Sequence, residues 1–297
     1  MQNTVPPLVS VICLSYKHEK YVERCLRSII NQTFYDFEII FIDNNSPDKS
    51  YERGLEILKA HPVKYRAFKT AENYGIAGGF NYGAINFASG KYVSTIACDD
   101  FWDMYNLEEK VKYFKEHNEF GMIYGNGYNY FEDTREIALY YKKPSPEGWI
   151  LKELLKSVPI NPQGVLYRTD VLEEVGYWDE KALIEDRELF CRIARLYPIG
   201  YLHIPLTFYR THKNNVSSNL DYMRKGNKYL ADKYEKEFPE EIKIAKIKHE
   251  RFYAHSMSIN SPTPKTLFKL LKNYQFNWLY TKEVIRCLTL IMRRKTK

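Results

Sequence analysis

No apolar stretch of this 297-residue chain approaches the ~18 residues that a membrane-spanning helix needs. The first twenty residues, MQNTVPPLVSVICLSYKHEK, lack a basic leading segment, and their apolar run breaks at Ser10 and stops at Ser15. That pattern reads as a first strand and not as a secretory signal. The five cysteines (Cys13, Cys25, Cys98, Cys191, Cys287) are odd in number, widely spaced and without any CxxC. A disulfide framework and a zinc site are therefore excluded, and reduced thiols in the cytoplasm are expected. Glycine is sparse, and its one cluster, NYGIAGGFNYG, does not spell GxGxxG. The first strand runs into SYKHE instead of a glycine turn, which argues against a dinucleotide-dependent oxidoreductase. Internal repeats and low-complexity tracts are absent.

With 44% apolar and 15% aromatic residues, the chain can bury a sizeable core. The net charge of +7 is unevenly placed. Residues 265–297 hold nine Lys or Arg and one acid, Glu283, so this tail is +8 and the body −1. A near-neutral body argues against a nucleic-acid partner, in spite of 26 tyrosines. Within the tail, Leu267, Phe268, Leu271, Phe276, Trp278, Ile285 and Met292 lie among the basic residues. Such a segment either docks on an anionic membrane surface or packs on the body with a solvated basic face.

Short β-rich runs alternate with helical patterns from the start, as in an α/β sheet of mainly parallel strands. Strands are expected at Leu8–Leu14, Phe37–Ile42, Val63–Phe68, Lys91–Ala97 and Gly121–Tyr124. Helices are expected at Glu19–Ile30, Asp48–Ala60, Ala77–Ala88, Asn106–His117 and Ile184–Leu196. Over 125–162 the pattern loosens, with strands near Tyr128–Phe131 and Ile137–Tyr141 and an extended piece at Gly164–Tyr167. Residues 221–258 read as helical, which gives a domain over 1–220 and a helical extension over 221–297.

Ligands of an open α/β sheet sit beyond the carboxyl ends of its strands. Ser15 and Tyr16 end the first strand, Asp43 follows the second, and the Asp99-Asp100 pair follows the fourth. Asp43 opens Asn-Asn-Ser-Pro-Asp, which is also good turn chemistry. Two adjacent carboxylates repel unless a cation or donors compensate, and Mg²⁺ uses one or two carboxylates with phosphates completing its shell. The pair therefore suits a metal–phosphate site or the cap of the next helix. Glu185-Asp186 opens a helical stretch, where acids are favoured in any case. The Asn73–Gly83 cluster, Gly78 included, would let a backbone approach a phosphate closely.

In this order, VSVICLSYKHEKYVERCLRSIINQTFYDFEIIFIDNNSPD, ASGKYVSTIACDDFW, GYWDEKALIEDRELFCRIA and FYRTHKNNVS resemble the family 2 glycosyltransferases over residues 8–220. The resemblance implies a GT-A fold, with a mixed, mainly parallel sheet flanked by helices and a C-terminal helical extension. It implies an inverting enzyme moving a hexosyl or N-acetylhexosaminyl group from a nucleotide-diphosphate donor, UDP-sugar first and dTDP-rhamnose second. The acceptor would be a glycan or a lipid-linked hydroxyl in surface polysaccharide or glycoconjugate synthesis. Ser15, Tyr16, Asn73 and Gly78 would line the donor site, and Asp43 would accept the N3–H of a pyrimidine. Asp99 would face the ribose or metal, Asp100 would bind Mn²⁺ or Mg²⁺, and His212 would be a further ligand. Asp186 would be the base. Ala97 stands where many members have an aspartate, and Phe80 stands near where many carry a basic residue. A catalytically silent nucleotide- or glycan-binding module of the same fold is the alternative. The enzyme would be cytoplasmic, with the tail attaching it peripherally to the inner face of the membrane.

Overall fold

The computed structural model describes residues 5–260, 262–272 and 278–295. Two compact units make up the chain. One runs to Leu154 and resumes over Val158–Asn215; the other comprises Leu155–Ser157 and the residues from Val216 onward.

The first unit opens with β1 (Val9–Ser15), α1 (Val22–Ile30), β2 (Phe37–Asp43), α2 (Ser50–Lys59), β3 (Tyr65–Lys69), α3 (Gly75–Phe87) and β4 (Tyr92–Ala97). Every residue of β1 and β2 is buried, as parallel strands covered on both faces require. α1 turns Val22, Cys25, Leu26 and Ile29 inward, the helical stripe visible in the sequence. The strands lie in the order β3-β2-β1-β4, all parallel, with Ser15 beside Asp43 and Leu14 beside Ala97. This register brings the three candidate acidic loops to one edge of the sheet. The glycine cluster serves packing: a Cβ on Gly79 would stand 2.5 Å from Leu14 Cδ1, and one on Gly83 2.8 Å from Ile12 Cγ2. Side chains at these positions would push α3 off β1.

Beyond β4 come β5 (Phe101–Trp102), α4 (Asn106–Glu116), β6 (Met122–Phe131), β7 (Ile137–Leu139), α5 (Leu151–Leu155), β8 (Leu166–Arg168), α6 (Thr169–Val175), α7 (Glu185–Leu196) and β9 (Ile199–Thr211). The sheet continues as β4-β8-β6-β9-β5, with β7 on β6. β8 is antiparallel to both neighbours, and β9 is parallel to β6. Two features differ from the sequence reading. β6 is one continuous strand through Gly125 and Gly127, and the 13-residue β9 was not anticipated. Pro205 argues against an interior strand, yet it sits opposite Asn126, between two register shifts where the ladder is interrupted.

The second unit contains α8 (Leu220–Tyr234), α9 (Pro239–Asn260), α10 (Pro264–Lys272) and α11 (Trp278–Lys295). Asn219 caps α8 by accepting the Tyr222 N–H at 3.1 Å. Ala254, Leu270 and Cys287 form a small core with Leu267, Val284 and Ile291 packed against it. Phe268, Leu271, Ile285, Leu288 and Met292 remain exposed. The tail therefore divides its apolar residues between an interior and an outer face. Of the tail positions singled out above, Phe276 and Lys297, and the side chain of Trp278, lie outside the described residues. No described helix is long and apolar enough to cross a membrane.

A lysine is folded into the core. Lys110 on α4 is 1% exposed, and its ammonium donates to Asn106 Oδ1 at 2.7 Å and to the Gly164 carbonyl. Burial pulls its pKa down to about 7, against about 10.4 for an unfolded lysine. Between those values the unfolded chain holds a proton that the folded chain has released, so stability rises with pH across that window. Relative to Lys110→Met, the wild-type protein should thus gain thermal stability as pH is raised from 7 towards 10. Parallel melting curves for the two proteins over that range would contradict this.

Candidate functional site

The loops after β1 and β2 are tied into one frame. Asn44 N–H donates to the Ser15 carbonyl at 2.8 Å, Lys17 N–H to Ser46 Oγ at 3.0 Å, and His18 N–H to Ser50 Oγ at 2.8 Å. Lys17 and Asn45 both hold positive φ, 60° and 59°, a conformation non-glycine residues seldom adopt. Within this frame Asp43 is fully buried and accepts the Ser46 N–H on Oδ1 at 2.8 Å. Its Oδ2 and the neighbouring Ser15 Oγ are buried without a hydrogen-bond partner among the described residues. Burial pushes the Asp43 carboxyl up, with the Ser46 hydrogen bonds opposing it. Two unmatched polar atoms side by side at a strand edge fit a ligand that brings its own donor and acceptor. Tyr16, the next residue, is exposed.

Asn44 locks the adjoining loop with its whole carboxamide. Nδ2 donates to Asn73 Oδ1 at 3.0 Å and to the Gly75 carbonyl at 2.8 Å, and Oδ1 accepts the Tyr74 N–H at 2.9 Å. Asn73 is thereby fixed at the mouth of α3. Gly78 lies buried one turn in, where a Cβ would stand 2.9 Å from Tyr74 Cβ.

The Asp99-Asp100 pair splits by environment. Asp100 is 1% exposed, and its Oδ1 accepts the backbone N–H of Arg210 at 2.6 Å. Burial and the charge of Asp99 push its carboxyl well up. Asp99 Oδ2 faces His212 Nε2 at 3.1 Å and His18 Nε2 at 3.7 Å. Burial alone would raise Asp99, but His18 and His212 reverse this and hold it below the usual carboxylate range. The charge of the pair therefore rests on Asp99. Arg210 binds the Asp99 carbonyl through Nε at 2.5 Å, reaches Glu132 through Nη1, and lies 4.8 Å over the Tyr21 ring. Asn215 closes the turn after it, accepting the His212 N–H at 2.5 Å and donating to the Arg210 carbonyl at 2.9 Å.

Glu185 and Asp186 begin α7. Burial, with the charge of Asp186 beside it, pushes Glu185 up to about 8; burial also raises Asp186, with the Arg187 N–H opposing it. The phenol of Tyr140, raised by burial, feels the charges of Tyr209, Asp186 and Asp100 together. Asp186 at the start of α7 and Asp100 after β4 thus both lie within electrostatic range of the Tyr140 phenol.

Asp99 and His212 offer one carboxylate oxygen and one imidazole nitrogen at close range. That donor set fits a divalent cation whose remaining positions are filled by diphosphate oxygens. Asp100, expected to hold the ion, has its Oδ1 engaged by the Arg210 N–H, while Asp99 Oδ2 faces the two histidines. Among the described residues no group of three His, Cys, Asp or Glu side chains stands placed to hold a metal ion as it is. Three residues of the site carry no role assigned from sequence: Asn44 and Arg210, which lie inside the quoted motifs, and His18. For His18 the available signal was an aromatic base within SYKHE at a strand end.

Residues 10–176 match glycosyl transferase family 2. An uncharacterized glycosyltransferase of Methanocaldococcus jannaschii is 28% identical over 225 residues, covering 72% of this chain and 74% of the relative. Glycosyltransferase GlyA of Streptococcus pneumoniae is 29% identical over 223 residues, 70% of this chain but 31% of that protein. Among solved structures, S. aureus TarS 1–349 in complex with UDP-GlcNAc superposes with a TM-score of 0.66 at 18% identity, over 88% of this chain and 79% of TarS. Mannosyltransferase PcManGT from Pyrobaculum calidifontis, in complex with GDP-Man and Mn²⁺, gives 0.63 at 15% identity, over 97% and 86%. These two likenesses establish the architecture: a GT-A fold with C-terminal helices. With more than half of its length matched to the family and its relatives named as glycosyltransferases, the chain belongs to the family 2 glycosyltransferases and is a glycosyltransferase.

Proposed function

We propose that this enzyme is an inverting, metal-dependent transferase that moves a sugar from a nucleoside-diphosphate donor to a hydroxyl of a glycan or lipid-linked acceptor. A UDP-sugar is the first donor and dTDP-rhamnose the second, since Asp43 Oδ2 is a free acceptor suited to the N3–H of either pyrimidine. The observation that carries the reading is the opposite setting of two carboxylates, Asp99 and Asp186. Asp99 is held charged beside His212, while Asp186 is raised at the start of α7. Environments that push carboxyl groups apart divide their labour.

Asp99 and His212 would hold Mn²⁺ or Mg²⁺, which supplies charge neutralisation to a departing nucleoside diphosphate. Ser15, Tyr16 and Asp43 would receive the nucleoside, with Asn73 and Gly78 shaping the adjoining loop. Asp186 would take the acceptor proton as the hydroxyl attacks the anomeric carbon from the face opposite the leaving group. Its raised pKa makes it the stronger base, and Glu185, pushed to about 8, is protonated at neutral pH. A lone base, with no nucleophilic carboxylate assigned across from it, supports a single displacement.

Asp186→Asn should keep donor binding and lower turnover by about 10²–10⁴. Because Asp186 must be ionised, the wild-type rate should fall as pH drops through its raised pKa, at a higher pH than an ordinary aspartate would give. A loss confined to donor affinity, with turnover unchanged, would move Asp186 from catalysis to binding. For the metal, Asp99→Asn should abolish Mn²⁺-dependent UDP binding in calorimetry. Asp100→Asn should mainly lower the melting temperature. The reverse pattern would return the ion to Asp100.

We also propose that the helical extension docks on an anionic membrane surface at the inner face of the cell membrane. Phe268 is 68% and Ile285 58% exposed on α10 and α11, and Lys265 and Lys282 are exposed on the same helices. Apolar insertion plus about 1 kcal/mol per basic group near the surface gives reversible attachment. The intact protein should cosediment with phosphatidylglycerol vesicles, less so as salt rises. A Phe268→Ser/Ile285→Ser variant should lose this without a change in melting temperature. No vesicle binding by the intact chain, or binding indifferent to these substitutions, would rule the attachment out.

A further inference from the structure

Two imidazoles face the Asp99 carboxylate. His212 follows β9 and His18 lies in the loop after β1, and their Nε2 atoms are 3.1 and 3.7 Å from the same oxygen, Asp99 Oδ2. Two donors bound to one ion at ~2.1 Å stand about 3.0 Å apart at a right angle and about 3.4 Å at a tetrahedral angle. His212 is within that range already, and His18 is a few tenths of an ångström outside it.

The position of His18 is set by its backbone. Its N–H donates to Ser50 Oγ at 2.8 Å, and its carbonyl accepts the N–H groups of Tyr21 and Val22 at 2.8 and 2.9 Å. The ring is 16% exposed, and its Nδ1 is buried with no hydrogen-bond partner among the described residues. A histidine kept only for structure would be expected to satisfy that atom, since buried polar groups are overwhelmingly paired. Tyr21 supports both rings, stacked on His212 at 4.9 Å and edge-on to His18 at 6.4 Å. His18 thus faces Asp99 Oδ2 from a fixed backbone, and its other nitrogen is without a partner among the described residues.

We propose that His18 is a third protein ligand of the divalent cation, completing a His18–Asp99–His212 set that selects Mn²⁺ over Mg²⁺. The inference rests on the metal-dependent reading of Asp99 and His212 given above. Imidazole nitrogen suits transition ions, whereas Mg²⁺ takes oxygen ligands and keeps its waters. A site with two imidazoles and one carboxylate therefore departs from the oxygen-only preference of Mg²⁺, and it leaves the remaining positions for diphosphate oxygens. Closing the set requires only that the His18 ring move towards Asp99 when the ion enters.

The test is pulsed EPR of Mn²⁺ bound to the full-length protein with UDP, counting imidazole ¹⁴N couplings. Two couplings are expected in the wild type, with one left in either His18→Asn or His212→Asn. Mn²⁺ affinity, read from the continuous-wave signal, should fall at least about tenfold in His18→Asn, no less than loss of an outer-shell partner costs. Mg²⁺ affinity, measured by competition, should change much less, so the preference narrows. A single coupling in the wild type that persists in His18→Asn and vanishes in His212→Asn would overturn the role of His18 and leave the metal-dependent reading standing. Failure of the wild type to bind Mn²⁺ with UDP would overturn both. The wild-type nitrogen count needs no variant, so misfolding of a mutant does not obscure the answer.

Discussion

Removing the Asp100 carboxylate from water at the end of β4 is tolerable because the backbone N–H of Arg210 meets it at 2.6 Å, and the site's geometry follows from that contact. Asp100 belongs to the parallel half of the sheet and Arg210 to β9, at the other end of the strand order. The pairing of Phe101 with Phe208 and of Trp102 with Thr207 holds the same two segments side by side. Once Arg210 is fixed, its Nε holds the Asp99 carbonyl and its guanidinium rests on Tyr21. Asn215 then turns the chain so that His212 arrives at Asp99. One buried carboxylate thus aligns its neighbour, whose carboxylate faces His18 and His212.

This division explains why adjacent aspartates are useful. Two equivalent carboxylates would repel, and one would take up a proton wherever the local field dictated. Here Asp100, buried and turned to Arg210, carries the protonation tendency, while two imidazoles hold Asp99 ionised. At the start of α7, Asp186 is raised by burial. A group that stays negative and a group that readily accepts a proton are what a cation-assisted displacement by a hydroxyl requires.

The parallel half of the fold was legible because its physics is local. Runs such as VSVICLS and FEIIFID can only be strands buried on both faces, and α1 shows its stripe of Val22, Cys25, Leu26 and Ile29. The strand ends then located Ser15, Asp43 and the Asp99-Asp100 pair. β9 was not legible: its hydrogen bonds go to a strand some eighty residues earlier, and Pro205 masks it unless the interrupted ladder opposite Asn126 is known. How the Asp99-Asp100 pair divides was likewise undecidable, because it depends on the Arg210 backbone N–H that meets Asp100. The glycines of α3 suggested phosphate approach, yet Gly79 and Gly83 lie against Leu14 and Ile12. The apolar tail posed two alternatives, and its helices choose neither by themselves: Leu270 and Cys287 pack with Ala254 inside the helical unit, while Phe268 and Ile285 are exposed.

The central claim is that a single base, Asp186, drives one displacement at the anomeric carbon. The most direct measurement is the anomeric configuration of the first-formed product, read by proton NMR during turnover of an α-linked nucleotide sugar with Mn²⁺. A β-linked product is expected from the first time point, with no α-linked species preceding it. An α-linked product would require a second displacement, and with it a nucleophile that this site does not assign.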